Sequence, residues 1–385
     1  MTATKDMQVH TPRSTANLHA VMRELVAAGE PLRISGADTW SNCGAPVTAT
    51  HVLSLRELTG ITEYVPGDLT ITARAGTSLA ELSQATAAAG QWLGLDPAGS
   101  RHGTIGATIA TASSGPLSHA YGTPRDLVLG IEAVTGYGDV VRPGGRVVKN
   151  VAGFDLVRLY TGAWGTLGPL TSVTLRLRAL PVHDVTLAIS LDHPARLDVV
   201  LPLLRANTVS LLAAEWIDRH TAAAIGLGAD SDAILVRIGG NDPFVRGQQV
   251  VLDRIADNEP CDPAVWGALS TQDTSAAAVL RLSGAVSELP ARIDRVRSAL
   301  AATGATFSLH ASLGRGTIRV IAHDAPGVAR AVLQHVAPRE QRIVERLPAA
   351  WWNNEADPFT GGVAERIRHA FDPQLLCNRR MTPHA

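Results

Sequence analysis

The stretch Gly103-Thr104-Ile105-Gly106-Ala107-Thr108-Ile109-Ala110-Thr111-Ala112-Ser113-Ser114-Gly115 sets the tightest limit on what this chain can build. Its thirteen residues carry no charge and few long side chains. Such a segment gains little by facing water, and its small residues leave the main chain bare. Bare backbone amides suit a diphosphate, which needs N–H donors and an approach that no side chain blocks. An earlier stretch, Ser35-Gly36-Ala37-Asp38-Thr39-Trp40-Ser41-Asn42-Cys43-Gly44, has the same character. Either one alone also reads as an ordinary Gly/Ser-rich surface loop. The pair points to a bound dinucleotide.

The usual dinucleotide fingerprint is absent. Gly136-x-Gly138 follows a strand-like run, but Val141 stands where a third glycine belongs, and Arg142-Pro143-Gly144-Gly145 stops any helix. Gly162, Gly165 and Gly168 are wrongly spaced, and no Gly-Lys-Ser/Thr exists. A dinucleotide here calls for another architecture.

Periodicity places the loops. Leu18, Val21, Met22 and Leu25 predict a helix over Thr15–Ala28 with Gly29 at its C′ position. Strands are expected at Leu32–Ile34, Val52–Leu55, Leu69–Ala75, Leu127–Thr135 and Thr171–Leu180. Ser78 and Glu81 read as a capping box opening a helix that stops near Gly90. Gly136-Tyr137-Gly138-Asp139 reads as a hairpin turn into Val140-Val141. Beyond Pro181 the texture changes. Helices are expected at Pro194–Ala206, Glu288–Thr303, Ala325–Val336 and Gly362–Phe371, with strands at Ala233–Ile238 and Gly316–Ala322.

A length of 385 residues predicts two domains. The net charge of −1 leaves no electrostatic footprint for nucleic acid or an anionic membrane. No apolar run is long enough to span a bilayer, and the polar Met1–Pro12 lacks a secretory h-region, so a cytoplasmic chain is expected. Cys43, Cys261 and Cys377 form no CxxC pair, and none of the thirteen histidines forms an HExxH pair, so no metal site is expected.

The order of motifs resembles the FAD-binding domain of the vanillyl-alcohol-oxidase (PCMH-type) flavoproteins. The resemblance rests on the loop after Arg33-Ile34-Ser35, the strand ending Ala73-Arg74-Ala75-Gly76, and Gly103-Thr104-Ile105-Gly106. It continues through Tyr121-Gly122, Asp126 to Gly130, and Gly162-Ala163-Trp164-Gly165-Thr166-Leu167-Gly168. Gly145 to Asp155 (Gly-Arg-Val-Val-Lys-Asn-Val-Ala-Gly-Phe-Asp) resembles the FAD-binding subunit of bacterial glycolate oxidases. The resemblance is strong over roughly residues 30–181 and weak over the last dozen.

It implies FAD, bound non-covalently, since the first loop offers no His or Cys at a familiar flavinylation place. Ser35, Gly36, Ala37, Asp38, Thr39 and Trp40 would wrap the diphosphate. Gly103, Thr104, Ile105, Gly106, Ala107, Ser113, Ser114 and Gly115 would line the rest. Tyr121, Gly122 and Asp126 belong to the same set, as do Gly165, Thr166, Leu167, Gly168 and Leu170 near the flavin and adenine ends. Asn378 falls where the family has an Asn-Pro-Gly. Two departures stand out: Asp38 puts an acid where a diphosphate would lie, and the tail reads Cys377-Asn378-Arg379-Arg380-Met381 without Pro-Gly.

A 2-hydroxy acid needs a cation for its carboxylate and a base for its hydroxyl proton. Arg319 and His323, four apart on one strand run, are candidates, with His310 and Arg346 beside them; a solvent-facing strand edge explains them as well. His119 and Tyr121 either touch cofactor or substrate or simply pack. Asp155 reads equally as a helix cap pairing Lys149 or Arg158. Trp351-Trp352-Asn353-Asn354 caps a pocket, meets a subunit or packs in a core.

The expected fold is α+β: an FAD-binding domain over 1–181, an inserted mixed α/β cap over 182–345, and a tail, 346–385, returning to the FAD domain. The expected function is the FAD-binding subunit of a glycolate-oxidase-like complex, beside a larger flavin subunit and an iron–sulfur subunit. A stand-alone flavin oxidase or dehydrogenase, or a non-catalytic flavin-binding assembly subunit, are the alternatives.

Overall fold

A computed structural model describes residues 7–40, 42–145, 154–192, 196–206, 209–228, 230–304, 306–323, 341–354 and 362–379. The expected helix Ala325–Val336 and most of the Gly145–Asp155 motif lie outside these. The fold is α+β, in two compact units. The first comprises Met1–Ser114, Gly122–Leu180 and Trp352–His384; the second comprises Gly115–Tyr121 and Pro181–Trp351. The short Gly115–Tyr121 segment and residues 346–351 thus group with the second unit.

The first unit has two sheets. In a parallel one, His51–Ser54 lies between Gln8–His10 and Leu32–Ser35. The other is antiparallel and runs Ile61–Val65, Thr70–Arg74, Leu170–Ala179, Val128–Val134, Val140–Val141, with Gln91–Leu93 pairing the far end of Leu170–Ala179. The period-two pattern of Leu170–Ala179 buries Val173, Leu175 and Leu177 almost completely on one face. Each such side chain contributes about 1.5–3 kcal/mol by leaving water. Thr15–Ala28 buries Leu18, Met22 and Leu25 at helical spacing and ends on Gly29 in the left-handed region.

The small-residue stretch is not a plain loop. Its middle, Ile105–Thr111, is a helix. Thr104 caps it by accepting from the Ala107 amide at 3.3 Å, and the hydroxyls of Thr108 and Thr111 donate back to the carbonyls four residues earlier. Low side-chain bulk, read as loop character, here lets a short helix pack closely on the sheet. Ser78 does cap Leu79–Ala87 by accepting from the Glu81 amide.

The C-terminal tail closes the parallel sheet. Leu32 donates to the Leu376 carbonyl at 2.9 Å, and the Asn378 amide donates to the Leu32 carbonyl at 3.1 Å. Asp372, fully buried, accepts from the amides of Leu376 (3.0 Å) and Cys377 (2.8 Å) and holds that return turn. Burial pushes the Asp372 carboxyl upward, while these amides and Arg368 pull it back.

In the second unit one antiparallel sheet dominates. Its order is Glu259–Pro260, His183–Leu191, Asp232–Gly240, Ala213–Ile217, Phe307–Ser312, Thr317–Ala322, Ala278–Ser283, Gln341–Arg346. Helices include Arg196–Arg205, Asp242–Asp253, Ala264–Thr271 and Leu289–Ala301. Trp216, Leu235 and Val320 are among its buried side chains. No helix among the described residues is long and apolar enough to cross a membrane.

Replacing Asp372 with Ala strands two buried amides. The first unit should lose about 3 kcal/mol, read as a lower urea midpoint, with earlier proteolysis of the tail.

Candidate cofactor site

Four pieces of the first unit meet around one cavity: the end of strand Leu32–Ser35 with its following loop, the helix Ile105–Thr111, the turn at 164–170, and Asn378. The cavity opens to solvent, and with that open space it takes in about 770 Å³. An adjoining cleft of about 360 Å³ shares Thr39, Trp40, Thr104, Ala107 and Thr111.

The loop leaves its donors open. Among the described residues, the amides of Ala37, Asp38, Thr39 and Trp40 donate to no backbone carbonyl. Asp38 adopts φ +58, one of six non-glycine residues in the left-handed region among those described. Trp164 (φ +53) and Asn378 (φ +41) are two more, and all three line the cavity. Strained backbone gathered on one wall is what a pre-shaped ligand site shows. The acid at position 38 is neutralised: Arg56 Nη2 donates to its Oδ2 at 2.7 Å, and Arg56 Nε donates to Ser54 at 3.1 Å. Arg33 also lines the cavity.

Glycine is needed where these pieces approach. A Cβ on Gly106 would lie 2.8 Å from the Ala75 carbonyl oxygen and 2.7 Å from the Ala75 Cβ. Gly165 has φ +73, and a Cβ there would sit 2.7 Å from Asn378 Nδ2.

Asn378 ties the walls together. Its Oδ1 accepts from the Ile34 amide at 2.6 Å, and its Nδ2 donates to the Trp164 carbonyl at 2.8 Å. The neighbouring Cys377 thiol, fully buried beside Asp372, is held well above its ordinary pKa, first by burial and then by that carboxyl.

Of the residues expected at a cofactor, Ser35, Gly36, Ala37, Asp38, Thr39, Trp40, Thr104, Gly106, Ala107, Gly165, Gly168, Leu170 and Asn378 line the cavity. Gly103 and Ser113 line the adjoining cleft. Ile105, Thr166 and Leu167 are buried behind the walls. Ser114, Gly115, Tyr121, Gly122 and Asp126 line neither space. Asp126 instead completes a capping box, its Oδ2 accepting from Thr123 N and Oγ1. Sequence reasoning missed Arg33, Ile34, Cys43, Leu55, Ala110, Thr111, Trp164 and Pro169. Ala110 and Thr111 carried a signal, since they follow the Gly106 helix face by about one turn; Leu55 and Pro169 carried none.

Arg319 and His323 belong to the second unit. Arg319 is buried, paired with Asp273 and with Glu345 Oε2 at 2.5 Å, which holds its pKa well above the ordinary value against the cost of burial. Its charge is therefore matched within the sheet. His323 Nε2 lies 3.0 Å from Ser308 Oγ beyond the strand end. Asp155 caps Leu156–Tyr160 by accepting from the Arg158 amide.

Residues 7–144 match the family described as FAD binding domain. Over those residues the chain is similar to FAD binding domains. Glycolate oxidase subunit GlcE of Escherichia coli K12 is 38% identical over 167 residues, covering 43% of this chain and 47% of that protein. Glycolate oxidase subunit GlcD of Bacillus subtilis 168 is 31% identical over 245 residues, covering 61% and 52%. The chain thus spans about half the length of these relatives. A 4-ethylphenol oxidase from Gulosibacter chungangensis superposes with a TM-score of 0.76 at 15% identity, covering 97% of this chain and 89% of that one. That likeness shows a shared architecture in the FAD binding domain and in the second unit alike. The lining fits the cofactor: the open amides of Ala37–Trp40 lie beside an acid that Arg56 pairs.

Two substitutions test that wall. Asn378→Ala should release both Ile34 and Trp164 and weaken FAD binding about tenfold or more, read by flavin fluorescence titration. Arg56→Ala should expose the Asp38 charge and weaken FAD several-fold, on the order of 1 kcal/mol. Adding Asp38→Asn to that variant should restore the affinity.

Proposed function

We propose that this chain holds FAD non-covalently in the cavity and serves as the FAD-binding subunit of a complex that oxidises a 2-hydroxy acid such as glycolate. The observation that carries the reading is the row of uncommitted amides at Ala37–Trp40 beside the glycine-tight helix Ile105–Thr111. Two relatives named as subunits of glycolate oxidase support the substrate class and a multi-subunit setting. Bound FAD supplies a two-electron acceptor. The loop Ser35–Trp40 would take the diphosphate, Arg56 would keep Asp38 from repelling it, and Gly106, Gly165 and Asn378 would keep the pocket open and shaped. Electrons would pass to a larger flavin subunit and an iron–sulfur subunit in the cytoplasm. The three cysteines of this chain are too few for a four-thiolate cluster.

Purified protein should be yellow, with one FAD per chain, and acid precipitation should release all of the flavin to the supernatant; colour retained in the pellet would refute non-covalent binding. Anaerobic glycolate or D-lactate should bleach the flavin band near 450 nm (about the position of any oxidised flavin) in this chain or in its complex with co-purifying subunits. Bleaching only in the complex assigns turnover to the assembly; none in either refutes the functional reading.

A further inference from the structure

The first strand of the first unit gains little from apolar burial. Gln8–His10 pairs in parallel with His51–Ser54, Gln8 opposite His51 and His10 opposite Leu53. Gln8 is exposed and Val9 is 60% exposed, so the strand removes little apolar surface from water. A side-chain bond supplies a further tie. The register puts His10 and His51 on one face. His10 Nε2 lies 3.0 Å from His51 Nδ1, with the rings 5.2 Å apart and tilted by 34°.

Two imidazoles bond in this way only while one of the facing nitrogens keeps a lone pair. A neutral pair meets that condition, and so does a pair with one extra proton. A second extra proton sets N–H against N–H and two positive charges side by side. The surrounding charges come from the neighbouring elements. Glu24 on Thr15–Ala28 acts on the His10 ring, and Glu30, just before Leu32–Ser35, has its Oε2 3.9 Å from His51 Nε2. The Thr50 hydroxyl donates to the same Glu30 oxygen at 2.7 Å. Burial, and next His51, hold the His10 imidazole below its ordinary pKa, while Glu24 acts the other way. A doubly charged pair therefore parts, and each ring has a carboxylate of its own to turn to.

We propose that His10 and His51 form an acid-opened latch: their bond docks the first strand on the parallel sheet at neutral pH, and double protonation releases it. His10 is neutral when docked, so docking is complete above the ordinary imidazole pKa of about 6.5 and fades as pH falls below it. The partner strand leads to the cofactor wall. His51–Ser54 runs into the 3-10 turn Leu55–Glu57; Leu55 lines the cavity, and Arg56 donates to Ser54 and to Asp38. Release of Gln8–His10 leaves His51–Ser54 as an edge strand behind that wall and loosens the Arg56–Asp38 pair. This consequence for the cofactor rests on the functional reading above; the latch itself does not.

Hydrogen exchange of the full chain, read by mass spectrometry and corrected for intrinsic rates, tests the latch at about pH 7.5 and about pH 5. Protection of the Gln8–His10 and His51–Ser54 amides should fall about tenfold or more in acid, with Thr15–Ala28 unchanged. His10→Leu removes the bond at a partly exposed edge and should show the low protection at both pH values. Equal protection of the unaltered strands at both pH values would overturn the latch, as would His10→Leu protected like the unaltered protein at neutral pH. Loss across Thr15–Ala28 as well would mark general acid unfolding and overturn a local latch. Flavin fluorescence titration reads the coupling: FAD affinity should fall several-fold in acid in the unaltered protein and stay level in His10→Leu. Level affinity in a chain whose latch opens would overturn the coupling. A chain that takes no FAD at either pH would overturn the functional reading and leave the exchange result standing.

Discussion

One buried side-chain amide holds the candidate cofactor site in shape. Asn378 arrives from the C-terminal tail, more than three hundred residues beyond Ile34 in sequence, and bonds the strand end at Ile34 and the turn at Trp164 together. The cavity lies between these pieces, so its width depends on that side chain. Asn378 in turn is placed by the tail's pairing with Leu32 and by the turn that Asp372 fixes. The candidate pocket is thus closed by a contact between residues 344 apart in sequence. Loop-closure cost rises slowly with separation, so such a contact is tolerated once buried hydrogen bonds offset it.

The same wall shows how an unfavourable residue is accommodated. An acid among open amides would repel a diphosphate by a few kilocalories at short range in a partly desolvated setting. Arg56 cancels that charge from the next strand's end, and the left-handed conformation at Asp38 turns the chain so that the amides of its neighbours remain unbonded. Strain at Asp38, Trp164 and Asn378 is the counterpart of a pocket whose backbone, rather than its side chains, does the recognising.

Much of this was legible in the chain itself. The helix Thr15–Ala28 ends where Gly29 stops it, and the Val140-Val141 hairpin comes after its Gly-rich turn, because periodicity and turn chemistry are local. The small-residue loop at 35–40 and Gly106 come to one cavity because bare backbone is visible in composition. The helix within 105–111 was hidden, since Ala favours helix while Gly, Ile and Thr oppose it, and Thr104 supplies its one cap. Leu55 and Pro169 were hidden for another reason: they reach the wall from the 3-10 turn after His51–Ser54 and from the residue just before Leu170–Ala179, where no local pattern marks a cavity. The strands His183–Leu191, Ala213–Ile217 and Phe307–Ser312 were missed because a sheet with a half-polar face blurs the alternation that identifies a strand.

That half-polar face also separates two kinds of buried charge. Around Arg319 the charges are matched. Asp273 and Glu345 match the guanidinium, Arg281 adds to Glu345 at 3.3 Å, and Arg346 donates to the carbonyl of Asp273. Such a network of matched charges holds the strands in their arrangement. The pair of Glu215 and His310 is different, because one ring nitrogen is satisfied and the other is not. Removing a group from water and leaving it unbonded costs about 1–3 kcal/mol. The arginine first suggested by the sequence is therefore a structural ion-pair residue.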